Sequence, residues 1–278
     1  MGARILLHAC CGPCSLAPVR ILRERGQEPV IFYANSNIAP AREYAHRLDT
    51  LRTWAASIGV SVAEGAYDPA AWEHAVGSLG DEIRAKFGLV ADEHAAAFAQ
   101  MHDEADTEHF PAVGNLAPEA RAARRERCRA CYRLRFEEAA RYAADHGFDA
   151  LGTTLSVSPY QYTSIIEEEL KRASIEVGVD CAFSDYRPFY DEATRKSREL
   201  NMYRQNFCGC RFSAEEAAAE RTARKEARLV AREAKKAASA EELQQEQALR
   251  AAREAERAAY AAKQARKHAI LKALREKQ

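Results

Sequence analysis

A chain of 278 residues is long enough for one sizeable core plus an appendage, and eight cysteines are too few for a disulfide-built scaffold. The 41 Lys/Arg balance 41 Asp/Glu only in total: from Ser213 onward sixteen basic residues face eleven acidic ones, leaving 25 against 30 before it, a basic tail on an acidic body. No run approaches the roughly 18 apolar residues of a membrane span and no opening segment has the form of a leader, so the expected setting is the cytoplasm without membrane attachment, where thiols stay reduced and clustered cysteines favour metal or redox chemistry.

In chain order, the apolar run at residues 4–8 predicts a buried strand, followed by a Cys-Gly-Pro loop and a helix over 17–25 that Gly26 ends. A strand over 29–33 precedes an amphipathic helix over 41–58, with Tyr44, Leu48, Leu51 and Ala55 at helical spacing, and then a weak third strand at 60–63. Strands alternating with helices across short connections predict an α/β fold, a Rossmann-like parallel sheet flanked by helices. Ligands of such sheets bind beyond the carboxyl ends of the strands, where Cys10, Cys11 and Cys14 fall.

Residues 69–119 read as helical and strand-free, with a helical insertion at about 88–119. A helix carrying Cys128 and Cys131, a strand at 150–155, a Ser/Pro loop at 156–159 and a helix over 162–177 follow. Small hydroxyl residues at the end of that strand should face the same crevice. From 213 to 278 Ala, Glu, Lys, Arg and Gln predict a long helical tail, solvated and without the register of a coiled coil. The expected domains are therefore 1–212, a metal-binding α/β body, and 213–278, the tail.

Seven cysteines fall in three groups, Cys10/Cys11/Cys14, Cys128/Cys131 and Cys208/Cys210, with Cys181 alone and expected to be a small buried hydrophobe. Neighbours in extended chain point in opposite directions, so Cys10 and Cys11 are not expected to share one small ion. Cys128 and Cys131 lie one helical turn apart, and the glycine between Cys208 and Cys210 lets the backbone fold tightly. Seven thiolates exceed the four that saturate one zinc or one cluster, and soft ligands select zinc, iron–sulfur or Cu(I). Seven arginines, at 121, 124, 125, 127, 129, 133 and 135, make a strip in which Arg124, Arg125 and Arg129 are expected phosphate contacts.

The stretches His8-Ala9-Cys10-Cys11-Gly12-Pro13-Cys14, Tyr33 with Asn35 and Asn37-Ile38, Cys128-Arg129-Ala130-Cys131-Tyr132, Thr154 to Pro159 and Tyr203 to Cys210 resemble, in order and spacing, the QueH-type, cobalamin-independent epoxyqueuosine reductases. The resemblance covers roughly residues 4–213. It implies reduction of epoxyqueuosine to queuosine at the tRNA wobble position, the last step of queuosine synthesis, with a 4Fe-4S cluster and a second iron. It also implies Cys10, Cys11, Cys128, Cys131, Cys208 and Cys210 as ligands, with Cys14 where some relatives carry an acidic ligand of the second iron. Catalytic roles are then expected for Cys11, Cys14 and Arg204, and substrate contacts for Asn37, Ser158, Tyr203 and Gln205. The implied partners are the anticodon arm of a queuosine-family tRNA and an electron donor.

Tyr33, Tyr132 or Tyr203 would be the aromatic that stacks an extruded base, while His8 is expected to be packed or bonded to backbone, with proton donation open. The competing reading is a zinc-stapled RNA-binding module without catalysis. A nucleotide-dependent thiolation enzyme would need a phosphate-cradling glycine loop where this chain has Cys10-Cys11-Gly12-Pro13-Cys14.

Overall fold

Strand β1, Ile5–His8, buries all four residues, as expected of a strand covered on both faces. In the computed structural model, which describes residues 3–92 and 113–275, β1 is the centre of a five-stranded parallel sheet. Its order is β3-β2-β1-β4-β5, with β2 Val30–Tyr33, β3 Val62–Glu64, β4 Ala150–Thr153 and β5 Asp180–Cys181. Leu7 pairs with Ile31 on one side and Gly152 on the other. Chain direction across the sheet reverses between β1 and β4, the switch point at which such sheets open a crevice.

Period-two alternation divides the core. Leu6, Phe32 and Leu151 face Phe136, Ala139, Ile166 and Leu170, whereas Leu7, Ile31 and Tyr33 face Val19, Leu48 and Leu51. The first layer is built by α5 (Pro118–Asp145) and α6 (Thr163–Val177), the second by α1 (Gly12–Glu24) and α2 (Ala41–Ser57). Helix α1 starts five residues earlier than the sequence pattern predicts, because Pro13 is tolerated in a first turn, where its missing N–H has no partner to lose. The two-residue strand β5 escapes sequence reading through its brevity. Its Cys181 is exposed, contrary to expectation, because it lies on an edge strand.

After β3 come α3 (Pro69–Trp72), a π-helical turn (Glu73–Gly77) and α4 (Ser78–Phe87). A bridge between Val90 and Asn115 closes the segment whose residues 93–112, most of the expected insertion, lie outside the described part. Helix α7 (Tyr190–Glu199) precedes α8 (Arg211–Arg275). Residues 1–224 form one compact unit and 225–278 a second. The boundary falls twelve residues beyond the expected one, because the first turns of α8 belong to the body: Phe212 is buried, Arg211 pairs with Glu73 and Asp81, and Glu216 is buried against Arg124 and Arg127. In the second unit Leu229, Val230, Leu243, Leu249 and Tyr260 are all exposed. No described helix is long and apolar enough to cross a membrane.

Candidate metal centre

Strand β1 ends at His8, and the chain bends before α1 begins. The carbonyl of Ala9 accepts from Asn35 Nδ2 at 2.8 Å, and its N–H donates to the Phe32 carbonyl at 2.9 Å, which fixes the residue before Cys10. Cys11, extended at φ −172° and ψ 165°, is the N-cap of α1. The bend overturns the expectation that Cys10 and Cys11 diverge: that rule holds inside a strand, and the strand has already ended. Their Sγ atoms stand 3.7 Å apart, and the sulfurs of Cys10, Cys11 and Cys14 all lie within 4.8 Å of one another. Hydrogen bonds from Cys10, Cys14 and the Cys14 backbone lower the Cys11 thiol well below its ordinary value. Cys10 is raised chiefly by its contact with Cys11, and Cys14 by its contacts with Cys10 and Cys11, burial adding to both.

Cys128 and Cys131 form a second wall, one turn apart on α5. Burial pushes both thiols up to about 12, because a low-dielectric surrounding disfavours the thiolate. Trp72 Nε1 points at Cys131 Sγ at 3.3 Å. The third wall is the loop before α8. Gly209 has φ +132°, and a Cβ there would come within 2.8 Å of Ile38 Cγ1, so the position between Cys208 and Cys210 requires glycine. Ser213, through its N–H and Oγ, stands 3.4 Å from Cys210 Sγ.

All seven clustered cysteines line one cavity of about 340 Å³, opening beyond β1 and β4 at the switch point. Ser158, Arg204 and Gln205 also line it, as do Tyr160 and Tyr190, whose rings meet edge to face at 6.2 Å. Gln205 Oε1 is buried with no hydrogen-bond partner. Gln161 accepts from Tyr132 Oη at 2.7 Å and lies 4.0 Å from Cys208 Sγ. Trp72, Tyr160, Gln161 and Arg47 were not read from sequence; only Tyr160 and Gln161 carry a signal, their position directly after the Ser158-Pro159 stretch.

Several expected site residues are placed elsewhere. Asn37, 1% exposed, lies beneath Gly209 and is not on the cavity wall. Tyr203 is not on it either: its hydroxyl donates to Glu43 at 2.6 Å and its ring stacks on His46 at 3.8 Å. Tyr33 is fully buried in the core, which excludes it as a stacking platform. Arg124 lines the cavity but is buried and spanned by Asp92 and Glu216, so it is a structural cation rather than a phosphate contact. Arg129 is held by Glu168 and Glu169 away from the cavity, and Arg125 is exposed. Three of the strip's seven arginines, Arg124, Arg127 and Arg135, therefore turn inward. His8 is enclosed between Thr153 Oγ1 (3.1 Å) and the Ala34 carbonyl (3.2 Å), and burial, reinforced by Arg135, keeps its imidazole neutral.

Fold and cavity together define a parallel α/β protein with a sulfur-lined site at its switch point, a donor set that fits soft metals and iron–sulfur clusters. The family described as "Epoxyqueuosine reductase QueH" matches residues 5–88 and 84–216, and the chain belongs to that family of oxidoreductases. Two relatives bearing that name are those of Dehalococcoides mccartyi, 25% identical over 77% of this chain and 93% of its own length, and Thermotoga maritima, 28% identical over 75% and 89%. A solved structure of a predicted subunit of tRNA methyltransferase from Methanocaldococcus jannaschii covers 70% of this chain and 75% of its own at 14% identity and a TM-score of 0.36, a likeness too slight to bear on function.

Proposed function

We propose that this protein reduces the epoxide of epoxyqueuosine to the alkene of queuosine at the wobble position of tRNA. The observation that carries the reading is the convergence of all seven clustered cysteines on one cavity, in a chain of the epoxyqueuosine reductase family. Cys128, Cys131, Cys208 and Cys210 act electrostatically on one another and match the four thiolates a 4Fe-4S cluster needs. The triad of Cys10, Cys11 and Cys14 would hold the second iron, with Cys14 in the place of an acidic ligand. When bound there, the cluster and iron supply electrons and Lewis acidity.

Cleaving the two C–O bonds of an epoxide to leave an alkene takes two electrons and two protons and releases water, and the electrons come ultimately from an external donor. The chain's own residues bind and orient. Gln205 Oε1, buried and unpaired, accepts from the base or from a hydroxyl of the cyclopentene diol. Arg204, exposed on the rim, donates to the same groups or to a flanking phosphate, and Ser158 adds a hydroxyl. Tyr160 and Tyr190, rather than Tyr33 or Tyr203, give the aromatic wall on which an extruded base rests.

Anaerobic purification followed by iron, sulfide and zinc analysis, with turnover of epoxyqueuosine-containing tRNA under a chemical reductant, tests this. Iron above four per chain with about four sulfides, and conversion to queuosine lost in Cys11→Ala, is the expected result. A colourless protein with zinc alone and no turnover overturns it in favour of a zinc-stapled RNA-binding module.

A further inference from the structure

Four arginines are buried in the body: Arg47, Arg124, Arg127 and Arg135. Three have carboxylates against them. Arg47 meets Glu43 at 2.7 Å, Arg124 meets Asp92 and Glu216, and Arg127 meets Glu216 at 2.8 Å. Arg135, 1% exposed, forms no ion pair among the described residues. Its Nη2 donates to Asn35 Oδ1 at 2.5 Å, while Nε and Nη1 have no partner. Glu138, a nearby carboxylate, spends its Oε1 on the Ala66 N–H at 2.8 Å. Glu138 acts on Arg135 electrostatically but forms no ion pair with it, and burying guanidinium N–H groups without acceptors is costly, so the unpaired Nε and Nη1 point to a further anionic partner close by.

The surroundings identify that occupant. Arg135 stands four residues after Cys131 and seven after Cys128 on α5, on the helix face that carries both thiols. Through Asn35, whose Nδ2 holds the Ala9 carbonyl, it is tied to the residue before Cys10. It therefore lies between the first and second cysteine groups, behind the cavity wall that Arg47, Arg124 and Arg127 reach. Metal loading converts these thiols to thiolates, and a four-thiolate cluster is net anionic.

We propose that Arg135 is the built-in counter-charge of the thiolate metal centre, a positioning residue that stabilises the loaded, anionic state of the cavity and raises its reduction potential. The inference rests on the cluster reading above. The test compares anaerobically loaded wild type with Arg135→Gln, which removes the charge but can still donate to Asn35, and Arg135→Lys, which keeps it. In Arg135→Gln the reduced-to-oxidised ratio at fixed potential should fall at least tenfold, a shift of about 59 mV for one electron. Iron loss to a chelator should accelerate about tenfold, and the metal-free variant should resist urea at least as well as metal-free wild type, since an unpaired buried charge has gone. Arg135→Lys should keep the wild-type potential. Unchanged potential and chelator half-life in Arg135→Gln overturns the proposal, as does equal loss of stability in loaded and metal-free forms, the mark of a purely structural peg. If Arg135→Gln does not fold, a lowered potential in Arg135→Lys overturns it. Wild type that isolates with zinc alone sinks the reductase reading, and the chelator and urea arms then read Arg135 against zinc.

Discussion

The Arg47 guanidinium donates to the Cys208 carbonyl at 2.9 Å from a position only 1% exposed. It reaches the Phe207 carbonyl at 3.3 Å as well, and its Nε is held by Glu43. Helix α2 therefore grips the loop that carries Cys208 and Cys210. Arg47→Ala leaves Glu43 without its cation and two carbonyls without their donor, a loss of about 3–5 kcal/mol for a broken buried pair. The expected outcome is a lowered urea midpoint and iron content reduced more than in Arg52→Ala, whose partner Glu64 lies on the surface.

Gly209→Ala tests the same loop from within. A methyl there would be held at a strained φ of +132° and would press on the Ile38 side chain at 2.8 Å, at a cost of about 1–3 kcal/mol. Iron and sulfide per chain should fall while circular dichroism of the helices stays unchanged. Full occupancy would show that the loop tolerates the change.

Thiol chemistry in the metal-free protein should follow the electrostatics of the cavity. Cys11 is lowered and Cys128 and Cys131 are raised to about 12, and the thiolate is the reactive form. Brief treatment with iodoacetamide at neutral pH, followed by peptide mapping, should label Cys11 ahead of Cys128 and Cys131. Faster labelling on α5 would contradict the charge distribution described.

Away from the cavity, Glu169 of α6 is nearly fully buried. Burial alone would raise its carboxyl, but Arg133, Arg129 and Arg172 hydrogen-bond to it and bring it down to about 2 from an ordinary 4.5. A depressed carboxylate stabilises the fold above its unfolded pKa and ceases to do so as pH falls through its folded one. The arginines are partly solvated, which limits the contribution to about 2 kcal/mol. Glu169→Gln should thus lower the urea midpoint at pH 7, with the gap from wild type closing between pH 4.5 and 2.

Much of this architecture is legible in the sequence. Helix α2 is read to within a residue because its apolar stripe is regular and Gly59 closes it, and the central strands read as apolar runs. The three cysteine groups point to a common centre. What escapes is what depends on tertiary partners. Seven arginines on one helix look alike in a string, yet Arg124 and Arg127 turn inward to Glu216, Arg129 to Glu169 and Arg135 to Asn35. The local bend after His8, which brings Cys10 and Cys11 onto one site, has no periodicity to announce it. Gln161 and Trp72 reach the thiols across the fold, from segments with no cysteine of their own.

The end of the body is the sharpest case, because composition changes at 213 while packing ends at 224. Ser213 contacts Cys210, and Glu216 neutralises both Arg124 and Arg127. A chain ending after Arg224 should keep wild-type iron content and thermal midpoint. One ending after Phe212 leaves two buried guanidinium groups short of a carboxylate, about 3–5 kcal/mol where a buried pair is broken, and should lose both stability and metal. Differential scanning fluorimetry and iron analysis on the two truncations decide between the boundaries: equal behaviour would mean that the first turns of α8 contribute nothing to the centre.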